Sequence, residues 1–179
     1  MNHADGRGGL PRISLEHGER LASAPEADSW PPEQWYQLRL VAVGGMQHPG
    51  LPAGIRIRWG RLALSTLPRK YPEGPSQQSV TESVRVRAYL IREFGPDGTD
   101  PARDLSALHA DVMRNLGMSR ETAARLADGW QALPREQMLR LRRIKNLLSA
   151  LHPVLPLLED EDFSPEDLPA WLELAPRLP

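Results

Sequence analysis

The chain contains no cysteine. That excludes a disulfide framework, a thiol nucleophile, a thiolate-held iron–sulfur cluster and cysteine-bound zinc, and it fits a reducing compartment. No window approaches 18 uninterrupted apolar residues, so no membrane-spanning helix is expected and the chain reads as having no membrane partner. The start, MNHADGRGG, lacks the basic-then-apolar layout of a secretory signal, and the expectation is a cytoplasmic protein. Lysine is nearly missing: of 22 basic residues only Lys70 and Lys145 are lysines. Arginine favours bidentate contact with phosphate or carboxylate, though a GC-rich genome produces the same skew.

The catalytic inventory is equally thin. The histidines His3, His17, His48, His109 and His152 form no H-x-x-x-H pair and no HExxH motif. Neither GxSxG, a phosphate-binding loop nor GxGxxG occurs, and the Gly-rich start leads into no strand–helix unit. The run Glu159–Asp162 lacks the spacing and glycine of a calcium loop and reads as solvated charge. No enzyme, no metal and no cofactor are expected.

What is present is a chain of 179 residues with 40 % hydrophobic and 25 % charged side chains, enough for a packed core. Its 18 prolines and 14 glycines imply many short elements. The net charge of −1 conceals an asymmetry, with −2 over residues 1–30, +5 over 31–96, +2 over 97–148 and −6 over 149–179. A basic middle with an acidic end suits anion binding, or a tail folded back over its own basic surface.

Four segments follow. Residues 1–30 are small and polar and read as an extended or partner-held leader, with a short helix around Ile13–Leu21. Residues 31–96 read as a helical, alternatively part-β, region. There Pro31-Pro32 open a helix in which Trp35, Leu38 and Ala42 share a face and Gly44-Gly45 stop the run. In 53–66, Ile55, Ile57 and Trp59 alternate with Arg56 and Arg58 as in a strand, while Ile55, Trp59 and Leu62 fit a helix. Ser79 and Glu82 stand at capping-box spacing before a stripe of Val80, Val84, Ala88 and Ile91 that ends at Gly95-Pro96, and a strand over VRVRA is the alternative.

Residues 97–152 are the most regular. Asp100 and Pro101 open a helix with Leu105, Leu108, Val112 and Leu116 on one face, ended by Gly117. Ser119 caps the next helix, with Ala123, Leu126 and Trp130 on its inner side, and Pro134 opens a third with Met138, Leu141, Ile144, Leu148 and Leu151. Residues 153–179 read as an acidic, Pro-rich tail with a short helix starting at Ser164-Pro165. The fold expected is mainly α: a small helical bundle containing a helix-turn-helix-like unit, with Pro-rich extended termini. The alternative is α+β, with a short antiparallel sheet from residues 34–65 and 83–91.

The stretch Leu116-Gly117-Met118-Ser119-Arg120, continuing through Thr122, Arg125, Leu126 and Gly129, resembles the lambda-repressor-like (Xre) helix-turn-helix, whose turn and recognition helix commonly read LGVSRxTxxRLxxG. The likeness covers roughly residues 105–151. It departs from the family pattern at Met113, where Ala is usual, and lacks the Gln that opens the family's second helix. The physical logic is local: Gly117 permits the positive φ that reverses the chain, and Met118, Ala123 and Leu126 bury the second helix. Arg120, Glu121, Thr122 and Arg125 then face outward, where a recognition helix meets base edges. The resemblance implies a non-enzymatic protein that binds duplex DNA, as a regulator or as the DNA-contacting subunit of an assembly. Ser119, Arg120, Thr122 and Arg125 would read or position, and Arg142, Arg143 and Lys145 would hold phosphates, with Arg114 and Arg140 also near. The competing expectation is a helical protein–protein interaction or self-associating subunit, without DNA contact, that docks through its five tryptophans (Trp30, Trp35, Trp59, Trp130, Trp171) and its tails. Arg56, Arg58 and Arg61 around Trp59 read either as a base-stacking group or as surface charge beside a buried ring.

Overall fold

The computed structural model describes residues 13–74, 76–159 and 167–179. Residues 1–12 of the leader, most of the Glu159–Asp162 run and the expected helix start at Ser164-Pro165 lie outside them. Among the described residues every regular element is helical and no strand occurs, so the protein is mainly α and the sheet proposed for 34–65 and 83–91 is absent. The chain divides into two compact units, Met1–Lys70 and Tyr71–Pro179, and the division falls inside the segment 31–96 that composition groups together.

The first unit holds α1 (Leu15–Ser23), a 3-10 turn (Pro25–Ser29), α2 (Pro32–Gln47), α3 (Ala53–Ser65) and α4 (Leu67–Lys70). The Ser14 hydroxyl caps α1 by accepting from the His17 N–H at 3.2 Å, and the short helix expected around Ile13–Leu21 runs over Leu15–Ser23. Trp35, Leu38, Ala42 and Met46 form the buried face of α2, which does not stop at Gly44-Gly45 but continues to Gln47. The cause is tertiary. A Cβ built on Gly45 would lie 2.6 Å from the indole of Trp59, so glycine there lets α2 and α3 approach through the Trp59 ring. Segment 53–66 resolves as helix because Trp59, Leu62 and Ala63 then share one buried face. Its arginines also gain partners: Arg56 Nε donates to the Met46 carbonyl at 2.9 Å, and Arg58 donates to both carboxylate oxygens of Glu19. With Trp59 only 6 % exposed, the base-stacking reading of that group falls. Lys70 sits over the Tyr36 ring, 4.8 Å from its centroid.

The second unit is built on α5 (Gln77–Phe94), packed against α8 (Arg135–Leu151), with α6 (Leu105–Arg114), α7 (Arg120–Ala127), α9 (Leu155–Glu159) and α10 (Asp167–Leu174) around them. Val84, Ala88 and Ile91 of α5 meet Leu108 and Val112 of α6 and Leu141, Ile144 and Leu148 of α8 in one core. Two caps differ from expectation. Ser76, not Ser79, caps α5 by accepting from the Ser79 N–H at 3.1 Å, while Glu82 accepts from the Tyr71 hydroxyl at 2.8 Å. Asp104, not Asp100, caps α6 by accepting from the Ala107 N–H at 3.0 Å.

Asp100 is instead buried inside the loop 95–104, where it accepts from the Ala102 N–H and from Arg103 Nε. Arg103 also donates to Asp97 at 2.6 Å, and buried Arg87 of α5 reaches the Pro101 carbonyl and Asp111. Hydrogen bonds from the Thr99 hydroxyl and N–H, then the nearby Arg103 charge, hold the Asp97 carboxyl below the usual range. The C-terminal segment is no free tail either. Leu168, Trp171, Leu174 and Leu178 are buried in the core of this unit.

Candidate nucleic-acid interface

The region that resembles a helix-turn-helix is set by its turn. After Asn115, Gly117 adopts φ +75°, the left-handed backbone that glycine takes without steric cost. A Cβ at Gly117 would meet nothing within 4 Å, so the requirement is conformational, not spatial. The Ser119 hydroxyl then accepts from the Thr122 N–H at 3.3 Å and lies 3.1 Å from the Thr122 hydroxyl. Ser119 is therefore the N-cap of α7, and Thr122 is half-buried with its hydroxyl already engaged. Ser119→Ala is expected to cost about 1 kcal/mol, the ordinary loss of a hydroxyl cap, read as a lower urea midpoint with an unchanged slope.

Ala123 and Ala127 are the buried residues of α7, while Met118 and Leu126 pack half-buried at the core margin. Ala127 was not singled out by the sequence. It lies four residues beyond Ala123 and so shares its face. Met113 is accommodated half-buried beside the same core. The outer side of α7 carries Arg120 and Arg125, both exposed, and two acids, Glu121 and Asp128. Arg120 lies 3.8 Å from Glu121. Its own backbone N–H, the Ser119 hydroxyl and then Arg120 hold the Glu121 carboxyl below its ordinary range, so it stays ionised at neutral pH. The face of α7 is thus close to charge-balanced.

Net positive charge comes from α8. Arg142 and Arg143 are exposed and have no ionic partner among the described residues. Arg135 is exposed in the same way, and its seven-residue spacing from Arg142 places the two on one face about 10.5 Å apart. Arg140 is spent on Glu136 at 2.9 Å and Arg114 on Asp111 at 3.2 Å. Lys145 is not a free phosphate ligand, because its Nζ donates to the Leu178 carbonyl at 2.8 Å. The 3-10 turn Ala175–Arg177 that precedes Leu178 also sends Arg177 to the Asp128 carboxylate.

Of the residues expected at the interface, then, Arg120, Arg125, Arg142 and Arg143 are available, Ser119 and Thr122 are structural, and Lys145 is tied to the C-terminal turn. Two further exposed arginines, Arg135 and Arg177, lie outside that expected set. The first was legible as a heptad partner of Arg142, whereas nothing local signals the second. Trp35, Trp59 and Trp171 are core residues, leaving Trp30 and Trp130 as half-exposed rings. In the first unit an open groove of about 380 Å³ lies along Glu19, Arg58, Arg61 and Ser65, but the Arg58–Glu19 pair inside it matches its own charge. Among the described residues no helix is long and apolar enough to cross a membrane. No family model, no curated protein and no solved structure matches this chain.

Proposed function

We propose that the second unit is a non-enzymatic, helix-turn-helix DNA-binding module acting in the cytoplasm, as a regulator or as the DNA-contacting subunit of a larger assembly. The observation that carries this is the set of exposed arginines on α7 and α8 (Arg125, Arg135, Arg142 and Arg143), which have no ionic partner among the described residues of a unit whose other cations are largely paired. Arg120 and Arg125 stand on the capped helix after a glycine turn, where side chains of a recognition helix reach base edges. Arg135, Arg142 and Arg143 supply phosphate contacts, which account for much of protein–DNA affinity.

The test is an anisotropy titration with a labelled duplex at two salt concentrations. Each phosphate neutralised contributes about −0.9 to the slope of log K against log salt. Arg142→Gln with Arg143→Gln is therefore expected to flatten the slope by about 2. Absent or salt-independent binding by the unaltered protein rejects the reading.

The balanced charge on α7 favours a second reading, a protein-interaction subunit that uses the half-exposed Trp30 and Trp130. It predicts a mass above the monomer in native mass spectrometry, and no salt-dependent duplex binding.

A further inference from the structure

Three elements of the second unit meet at one point. Asp128 at the end of α7 accepts from Arg177, and the next residue, Leu178, gives its carbonyl to Lys145 in the middle of α8. The Leu178 side chain is 2 % exposed, so the turn is anchored in the core and its position is fixed. Arg125 lies one turn before Asp128 and Arg142 one turn before Lys145, so both share faces with this junction. The Arg177 side chain is 53 % exposed and that of Asp128 67 %. An ion pair this open is worth little and exchanges readily. A guanidinium presents five donors, and its fork matches phosphate oxygens as well as carboxylate oxygens.

From this we infer that Arg177 is a further phosphate ligand of the DNA surface, parked on Asp128 in the free protein and transferred to a backbone phosphate on binding. The inference rests on the DNA-binding reading above. Asp128 then acts as a competitor: its carboxylate holds the ligand in place and opposes the incoming anion. The Lys145–Leu178 hydrogen bond positions the turn. A purely structural clip makes the opposite prediction for loss of Asp128, so the sign of one measurement separates the two.

The experiment titrates a fluorescein-labelled duplex with the full chain and with Asp128→Asn, Arg177→Gln and the double variant, at about 50 and about 200 mM salt. Near-UV circular dichroism checks that the packing around Trp171 is kept. Asp128→Asn is expected to bind about two- to fivefold tighter, the equilibrium factor of an exposed ion pair released. Arg177→Gln is expected to flatten the salt slope by about 0.9, and the double variant should share that flattened slope, keeping only the smaller gain from the lost negative charge. Weaker binding by Asp128→Asn, or an unchanged slope for Arg177→Gln, overturns the role of Arg177 while the Arg142 and Arg143 variants still report DNA binding. A flat response of every variant, the unaltered protein included, overturns both readings together.

Discussion

Replacing Arg87 by alanine is expected to lower the unfolding free energy of the second unit by about 3 kcal/mol. Arg87 is 7 % exposed and makes three hydrogen bonds: Nη1 to Asp111 at 2.7 Å, and Nε and Nη2 to the Pro101 carbonyl at 3.1 and 2.9 Å. Its removal takes both donors from the Pro101 carbonyl and the closest cation from Asp111, and leaves the space of a buried guanidinium unfilled. Loss of one partner of a buried pair costs about 3–5 kcal/mol, and the lower end applies because the Asp111 side chain is 37 % exposed and keeps Arg114 as a neighbour. Lysine at position 87 should recover only part of the loss, since an ammonium cannot span both acceptors with the same fork. Urea unfolding followed by tryptophan fluorescence reads the difference, and a loss below about 1 kcal/mol would contradict this account of the 95–104 loop.

The second large effect belongs to the first unit. Trp59→Ala is expected to cost about 3–5 kcal/mol, the range for emptying a buried aromatic site. Gly45→Ala should cost about 1–3 kcal/mol through overpacking, because the new methyl would meet the indole carbons. The two are coupled. Where the added Cβ falls 2.6 Å from Trp59, shrinking that residue to leucine opens room for it. The cost of Gly45→Ala is therefore expected to drop by at least half in a Trp59→Leu background, a non-additivity proper to residues in contact. Amide exchange of α2 and α3 reports on this unit specifically. Strict additivity would mean that the helices do not rely on this contact.

These two sites also mark where local pattern stops being informative. Helices α6, α7 and α8 are legible in the sequence because their apolar residues recur every three to four positions, and because glycine or proline punctuates their ends at Gly117 and Pro134. The segment 53–66 is not, since alternating Ile and Arg satisfies strand and helix alike. A contact with Gly45, far off in sequence, decides it. Asp100 and Asp104 both stand before the same apolar run. Asp104 caps because Arg103, with Arg87 at Pro101, draws Asp100 into a separate loop in which its side chain is buried.

The candidate site divides the same way. Exposure of Arg120, Arg125, Arg142 and Arg143 follows from helical phase. The engagement of Lys145 and Arg177 depends on a turn folding back from the C-terminal segment, which no window of neighbouring residues encodes.

The scarcity of lysine acquires a practical meaning from where the two amines sit. Lys70 covers an aromatic face and Lys145 is locked onto a main-chain oxygen, both half-buried. Acylating reagents, amine cross-linkers and enzymes that acetylate lysine meet side chains that must first leave their partners. Neutralising Lys145 would release the Leu178 carbonyl and loosen the C-terminal turn. Modification there would be slow, and it would register as a change in shape as well as in charge.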